Sequence, residues 1–183
     1  MTQNEAFAIL KSGHNIFLTG AAGSGKTYLL NEFIRFLKSR SVGVGVTAST
    51  GIAATHLGGL TIHAWAGIGI ARAASDGDIQ VMASNKRVLK RFARTDVLII
   101  DEISMLDADR LDLVDRVARL ARGSFEPFGG MQVVCCGDFF QLPPIAKKGE
   151  PPPRFAYHAD AWKNMQVRVC YLHEQYRQGD DEF

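Results

Sequence analysis

The chain has 183 residues, 46% of them hydrophobic and 22% charged, and a net charge of +2. That balance fits one globular domain with a sizeable core and excludes a disordered or fibrous chain. A net charge so close to zero argues neither for nor against a polyanionic partner, so any basic surface has to be local. Cys135, Cys136 and Cys170 lack metal-ligand spacing and read as buried free thiols suited to a reducing cytoplasm. No apolar run reaches the ~18 residues of a membrane span, and Met1 to Glu5 form no basic leader. No membrane partner is expected.

In chain order, Asn4 to Lys11 reads as a short helix with Ala6, Phe7, Ile9 and Leu10 on one side. Asn15 to Thr19 is a short apolar run with strand character. Directly after it comes Gly20-Ala-Ala-Gly-Ser-Gly-Lys26-Thr27, a complete G-x-x-x-x-G-K-[ST] loop, and Tyr28 to Leu37 then has helical spacing. A phosphate chain needs many donors close together. Small residues let the backbone of Ala22, Gly23, Ser24 and Gly25 curl its N–H groups toward a β-phosphate, and the following helix adds partial positive charge. Lys26 supplies a mobile cation for the β- and γ-phosphates, and Thr27 offers a hydroxyl to Mg²⁺. ATP with Mg²⁺ is the ligand this setting predicts.

Val42 to Ala48 reads as a second buried strand, with Ser49-Thr-Gly51 opening a helix over Ile52 to Thr55 that Gly58-Gly59 breaks. Ser75 to Arg94 is mostly polar and helical in pattern. Within it Lys86, Arg87, Lys90, Arg91 and Arg94 form one basic face, either a solvated surface or a track for a DNA backbone. Val97 to Ile100 is a continuous aliphatic run, the mark of a central parallel strand, and it ends in Asp101-Glu102. Asp107 to Arg122 is amphipathic, with Leu111, Val114, Val117, Ala118 and Ala121 on one stripe. Gly129 to Gly137 contains the next strand, Pro151 to Pro153 is stiff extended chain, and Val167 to Leu172 is the last strand. Strands alternating with helices predict an α/β fold, a parallel sheet flanked by helices with ligands at the carboxyl ends of the strands.

Asp101-Glu102 at a strand end suits the second half of an ATP site. Asp101 would hold the metal through water and Glu102 would act as general base; the plainer reading is a pair of surface carboxylates. Gln141, in Gly137-Asp-Phe-Phe-Gln-Leu-Pro-Pro144, either senses the γ-phosphate through its amide or belongs to a packed loop.

These stretches resemble the first motor domain of Pif-family DNA helicases, group B of helicase superfamily 1. The match runs in order through Thr19 to Thr27, Thr47-Ala-Ser-Thr-Gly-Ile-Ala-Ala54, Gly59-Leu-Thr-Ile-His-Ala-Trp-Ala-Gly67 and Asp101-Glu-Ile-Ser-Met105. It continues through Phe128-Gly-Gly130, Gly137 to Pro144 and Glu174-Gln-Tyr-Arg-Gln178, nearly the whole chain. The resemblance implies one RecA-like P-loop NTPase domain over residues 1–183. It implies that Gln141 is the γ-phosphate sensor, that Arg177 reaches the γ-phosphate from a later motif, and that Gln3 reads adenine. Thr47, Ser49, Thr50 and Gly51, with Thr61, His63 and Trp65, resemble the segments that hold single-stranded DNA. There His63 and Trp65 offer rings for stacking; on residue type alone Trp65 reads equally as core and His63 as a structural hydrogen-bonding residue.

The implied activity is ATP-dependent 5′ to 3′ translocation on single-stranded DNA, in repair, recombination or telomere maintenance, by a cytoplasmic, nucleoid-associated protein. Family members carry a second motor domain and hold ATP between the two. This chain stops soon after Arg177, so it is expected to be a fragment that binds nucleotide weakly, hydrolyses it slowly and unwinds nothing. The competing readings are a nucleotide-gated DNA-binding module without motor action and a RecD-like repair ATPase subunit.

Overall fold

Alternation along each strand sorts apolar side chains into two cores, one on each face of a parallel sheet. The computed structural model describes residues 1–145 and 152–173. They run α1 (Gln3–Leu10), β1 (Ile16–Gly20), α2 (Lys26–Ser39), β2 (Val44–Ala48), α3 (Gly51–His56), β3 (Leu60–Thr61) and α4 (Ile62–Ala66). Then follow α5 (Asp76–Ser84), α6 (Lys86–Ala93), β4 (Val97–Asp101), α7 (Ala108–Arg122), β5 (Gln132–Cys136), α8 (Asp160–Asn164) and β6 (Arg168–Leu172). The strand order is β3-β2-β4-β5-β1-β6, and every pairing is parallel.

β4 lies between β2 and β5 and is buried along its whole length. Leu98 and Ile100 enter the core shared with α4 to α7, while Val97 and Ile99 enter the core shared with α1 and α2. Coverage of both faces is why this strand is a continuous apolar run. Cys135 and Cys136 divide between the same two cores, and all three cysteines are free and buried. Among the described residues no helix is long and apolar enough to cross a membrane.

The polar, helical region 75–94 is divided into two helices. Asn85 leaves the helical conformation (φ −61°, ψ 123°), and its side-chain oxygen accepts from the N–H groups of Arg87 and Val88 at 2.9 and 3.4 Å, restarting the chain as α6. The short strand β3 and the short helices α4 and α8 have too few residues for a periodicity to reveal them.

Two residues expected to touch DNA are buried and partnered within the fold. Thr47 is fully buried, and its hydroxyl donates to the Ile99 carbonyl at 2.6 Å, pinning β2 to β4. Trp65 is 5% exposed and stands edge-on to Phe92 with ring centroids 4.7 Å apart. In both, the side chain is engaged between elements distant in sequence, and for Trp65 this is the core reading that its residue type also allowed. Trp65→Ala should therefore destabilise the fold by about 3–5 kcal/mol in a urea titration. The affinity of the folded protein for oligo(dT) should stay unchanged.

Candidate nucleotide site and strand-end surface

A cavity of about 640 Å³ opens at the carboxyl ends of β1, β4 and β5. The G-x-x-x-x-G-K-[ST] loop forms one wall, through Ala22, Gly23, Gly25, Lys26 and Thr27. Asp101, Glu102, Gly137, Asp138 and Gln141 form another, and Gln3 and Tyr28 complete the lining.

The loop wall is shaped by what is missing at the start of α2. Six other helices begin with a Thr, Ser, Asn or Asp side chain accepting from the first turn. At α8 the carboxylate of Asp112 accepts from Ala161 N–H. α2 instead follows Gly25 in the left-handed conformation (φ 83°), with no side-chain cap. No side chain takes up its first N–H groups, and Gly25, Lys26 and Thr27 at this end line the cavity, the arrangement that suits phosphate. Lys26 folds back so that Nζ donates to the carbonyls of Gly20 and Ala21 at 2.7 and 2.9 Å, setting a cation inside the curl of the loop. Ser24 is buried with an unpartnered hydroxyl, and its carbonyl accepts from Gln3 Nε2 at 3.5 Å. Gly20 admits no side chain, since a Cβ there would lie 2.7 Å from the Leu172 carbonyl oxygen.

Opposite the loop, Asp101 is 7% exposed and accepts the Glu102 N–H at 2.9 Å. Glu102 sits in the left-handed region (φ 51°, ψ 44°), a costly conformation for a side-chain-bearing residue and one that recurs at functional sites. Burial pushes both carboxyls above the usual range, and for Glu102 the neighbouring Asp101 adds to the effect; Lys26 opposes it in each case. Two such acids beside open N–H groups suit a polyphosphate carrying a divalent cation.

Gln141 reaches the same cavity, with Nε2 donating to the Asp138 carboxylate at 3.0 Å. The two phenylalanines before it divide the work. Phe139 packs against Phe17, Trp162, Phe155 and Tyr157, anchoring the segment, while Phe140 is 99% exposed. Arg177 lies outside the described residues. Tyr28 and Asp138 line the cavity without having been singled out in the sequence. The signal available for them was position: Tyr28 follows Thr27 within the first turn of α2, and Asp138 lies three residues before Gln141.

The remaining candidate DNA residues cluster at the carboxyl ends of β2 and β3. Thr50 and Thr61 cap α3 and α4, each side-chain oxygen accepting from an N–H at 3.3 Å. Gly51 is exposed at the start of α3. His63 is partly buried, and that burial, with the Arg110 cation nearby, holds its imidazole below the ordinary value. Ser49 ties this surface to the nucleotide cavity. Its N–H donates to the Asp101 carbonyl at 3.0 Å and its hydroxyl to the Glu102 carbonyl at 2.7 Å.

Comparisons with known proteins agree with this arrangement. The family model for PIF1-like helicase matches residues 2–183. The chain is 54% identical to the ATP-dependent DNA helicase Pif1 of Psychrobacter sp. (strain PRwf-1), covering 100% of this chain and 28% of that protein. It is 44% identical to the ATP-dependent DNA helicase PIF1 of Homo sapiens, covering 96% of this chain and 27% of that protein. Among solved structures it is similar to Pif1 helicase from Candida albicans, at 42% identity and a TM-score of 0.89, covering 96% of this chain and 40% of that one. It is also similar to Pif1 helicase from Bacteroides in complex with ADP-AlF3 and ssDNA, at 33% identity and a TM-score of 0.83, covering 98% and 43%. The chain thus spans roughly a quarter of the curated relatives' length and under half of the solved chains. With a RecA-like P-loop fold and a family match from end to end, the chain belongs to the PIF1-like helicase family.

Proposed function

We propose that this domain binds and hydrolyses Mg-ATP and couples that cycle to 5′ to 3′ movement on single-stranded DNA, working with a second motor domain. The observation that carries the nucleotide reading is the uncapped start of α2 facing Asp101, Glu102 and Gln141 across one cavity. A cleft of this size suits a nucleotide. In this reading the loop N–H groups and Lys26 bind the phosphates, and Gln3 reads the adenine edge. Magnesium would be held by Thr27 and Asp101 and would neutralise charge on the β- and γ-phosphates. Glu102 orients water and takes its proton as the oxygen attacks the γ-phosphorus and the β–γ bridging oxygen leaves. Gln141 and Arg177 sense the γ-phosphate.

Ser49 supports coupling to DNA, because it hydrogen-bonds the backbone of both Asp101 and Glu102 and immediately precedes the Thr50 cap. We assign single-stranded DNA contact to Ser49, Thr50, Gly51, Thr61 and His63. The apolar side chains of Phe140, Leu142 and Ile145, all exposed in the segment around Gln141, suit docking of the second motor domain. The longer relatives of this family are named ATP-dependent DNA helicases, and a related structure is a complex with ADP-AlF3 and ssDNA. Buried free thiols suit a cytoplasmic setting, and association with the nucleoid follows from the DNA reading.

The test of the whole reading is ATP turnover by this chain with and without oligo(dT). Stimulated turnover is expected; nucleotide and DNA binding with no turnover would favour a nucleotide-gated binding module. Glu102→Gln should leave ATP binding intact and lower kcat by about 10²- to 10⁴-fold, measured by phosphate release and by fluorescent-nucleotide titration. Tyr28 lines the cavity, is 58% exposed and is assigned to the adenine face. Tyr28→Ala should weaken ATP binding by about 1–3 kcal/mol, the range for base–aromatic stacking, and leave inorganic tripolyphosphate binding unchanged.

A further inference from the structure

α6 and the residue after it hold five cations, Lys86, Arg87, Lys90, Arg91 and Arg94, with no acidic residue among them. Without these five the chain has 16 cations against 19 anions, a net charge of −3. One short helix thus carries more positive charge than the net value of the whole chain. Other cations of this domain are neutralised locally: Arg110, Arg116, Arg119 and Arg154 each sit against an aspartate. Among the described residues, no carboxylate lies within ion-pair distance of any of the five.

The patch is concave. Arg87, Lys90, Arg91 and Arg94 line a groove of about 460 Å³ over Val44, Trp65 and Thr95. Arg91 is held in place, its guanidinium donating to the carbonyls of Ala64 and Trp65 at 2.7 and 2.6 Å. Arg87, Lys90 and Arg94 are exposed. Val44 begins β2 and Thr95 precedes β4, so the groove lies at the amino ends of the strands. It is about 16 Å, a five-residue strand, from the carboxyl-end surface of Ser49 and Thr50.

We propose that this groove is a second DNA-contact surface that binds the phosphate backbone of duplex DNA. The choice of DNA rests on the family; the choice of duplex rests on the lining. Single-strand sites combine cations with exposed aromatic rings for bases to stack on. Here the one aromatic ring, Trp65, is 5% exposed, so the groove offers charge without a stacking platform. Duplex DNA carries about one charge per 1.7 Å of axis, twice the density of one of its strands. From Arg87 to Arg94 the helix rises about 10 Å, enough to face about three phosphates of one strand.

The experiment is fluorescence anisotropy of the 183-residue chain with a labelled blunt 20-base-pair duplex over a salt series. Wild-type chain should bind with an affinity that falls steeply with salt. Arg87→Gln/Lys90→Gln/Arg94→Gln should bind about tenfold more weakly, with the salt slope reduced by about 0.9 per lost phosphate contact. Arg91 is left intact because it holds α4. A charge-matched control on α2 and its cap, Arg35→Gln/Lys38→Gln/Arg40→Gln, should keep wild-type duplex affinity. Thermal melting of each variant tests folding. Absence of duplex binding by the wild type, equal loss in the control, or triple-variant affinity within twofold of wild type would overturn the proposal. An equal loss of oligo(dT) binding would also overturn it, assigning the groove to the single-strand path. Displacement of duplex by polyglutamate at equal charge concentration would overturn it in favour of an acidic protein partner. Oligo(dT)-stimulated ATP turnover, measured on the same samples, reports on the motor reading separately.

Discussion

Everything near the cavity depends on one unsatisfied helix end. A helix leaves its first N–H groups without partners, and elsewhere in this domain a side chain satisfies them. α2 has no such acceptor because Gly25 occupies the capping position in a left-handed conformation. A donor cluster left open at the carboxyl edge of a parallel sheet is costly until an anion arrives. The parallel sheet supplies the rest: β4 and β5 end at the same edge, bringing Asp101, Glu102 and the segment of Gln141 opposite the loop. Helix and carboxylates each lack what a Mg-nucleotide brings, one needing negative charge and the other positive.

The strand-end surface is coupled to that cavity by backbone, through Ser49. Its two hydrogen bonds reach the carbonyls of the residues assigned to metal and base, while the next residue caps α3. Two hydrogen bonds and one peptide bond thus separate the Asp101–Glu102 backbone from the residue that caps α3. The exposed basic groove lies at the other end of the same strand, and Arg91 joins it to α4 by two carbonyls. Opposite ends of β2 thus present two different chemistries, hydroxyls and backbone groups at one end and a cluster of cations at the other.

Much of this was legible because local rules and global fold agree. The loop from Gly20 to Thr27, the apolar run into Asp101 and the amphipathic pattern of α7 each depend on neighbours within a few residues. What was not legible were short elements and competing uses of a side chain. Asn85 divides the helical region into two because its side chain caps a new helix. Thr47 has a hydroxyl suited to a phosphate, yet the Ile99 carbonyl, 52 residues away, accepts its hydrogen bond. Trp65 has a ring suited to a base, yet Phe92 stacks edge-on against it.

The sequence by itself determined the α/β class, the phosphate loop, the carboxylate pair and the order of the motifs, since each is a short string whose chemistry is local. Tertiary structure decided which hydroxyls and rings remain available, because availability depends on partners far along the chain. It decided that Tyr28 and Asp138 border the cavity and that Phe139 anchors while Phe140 projects. It also decided that, among the described residues, no carboxylate pairs with the cations of α6. Charge spacing along a helix is visible in sequence, but whether an aspartate from another element meets it is set only when the elements pack.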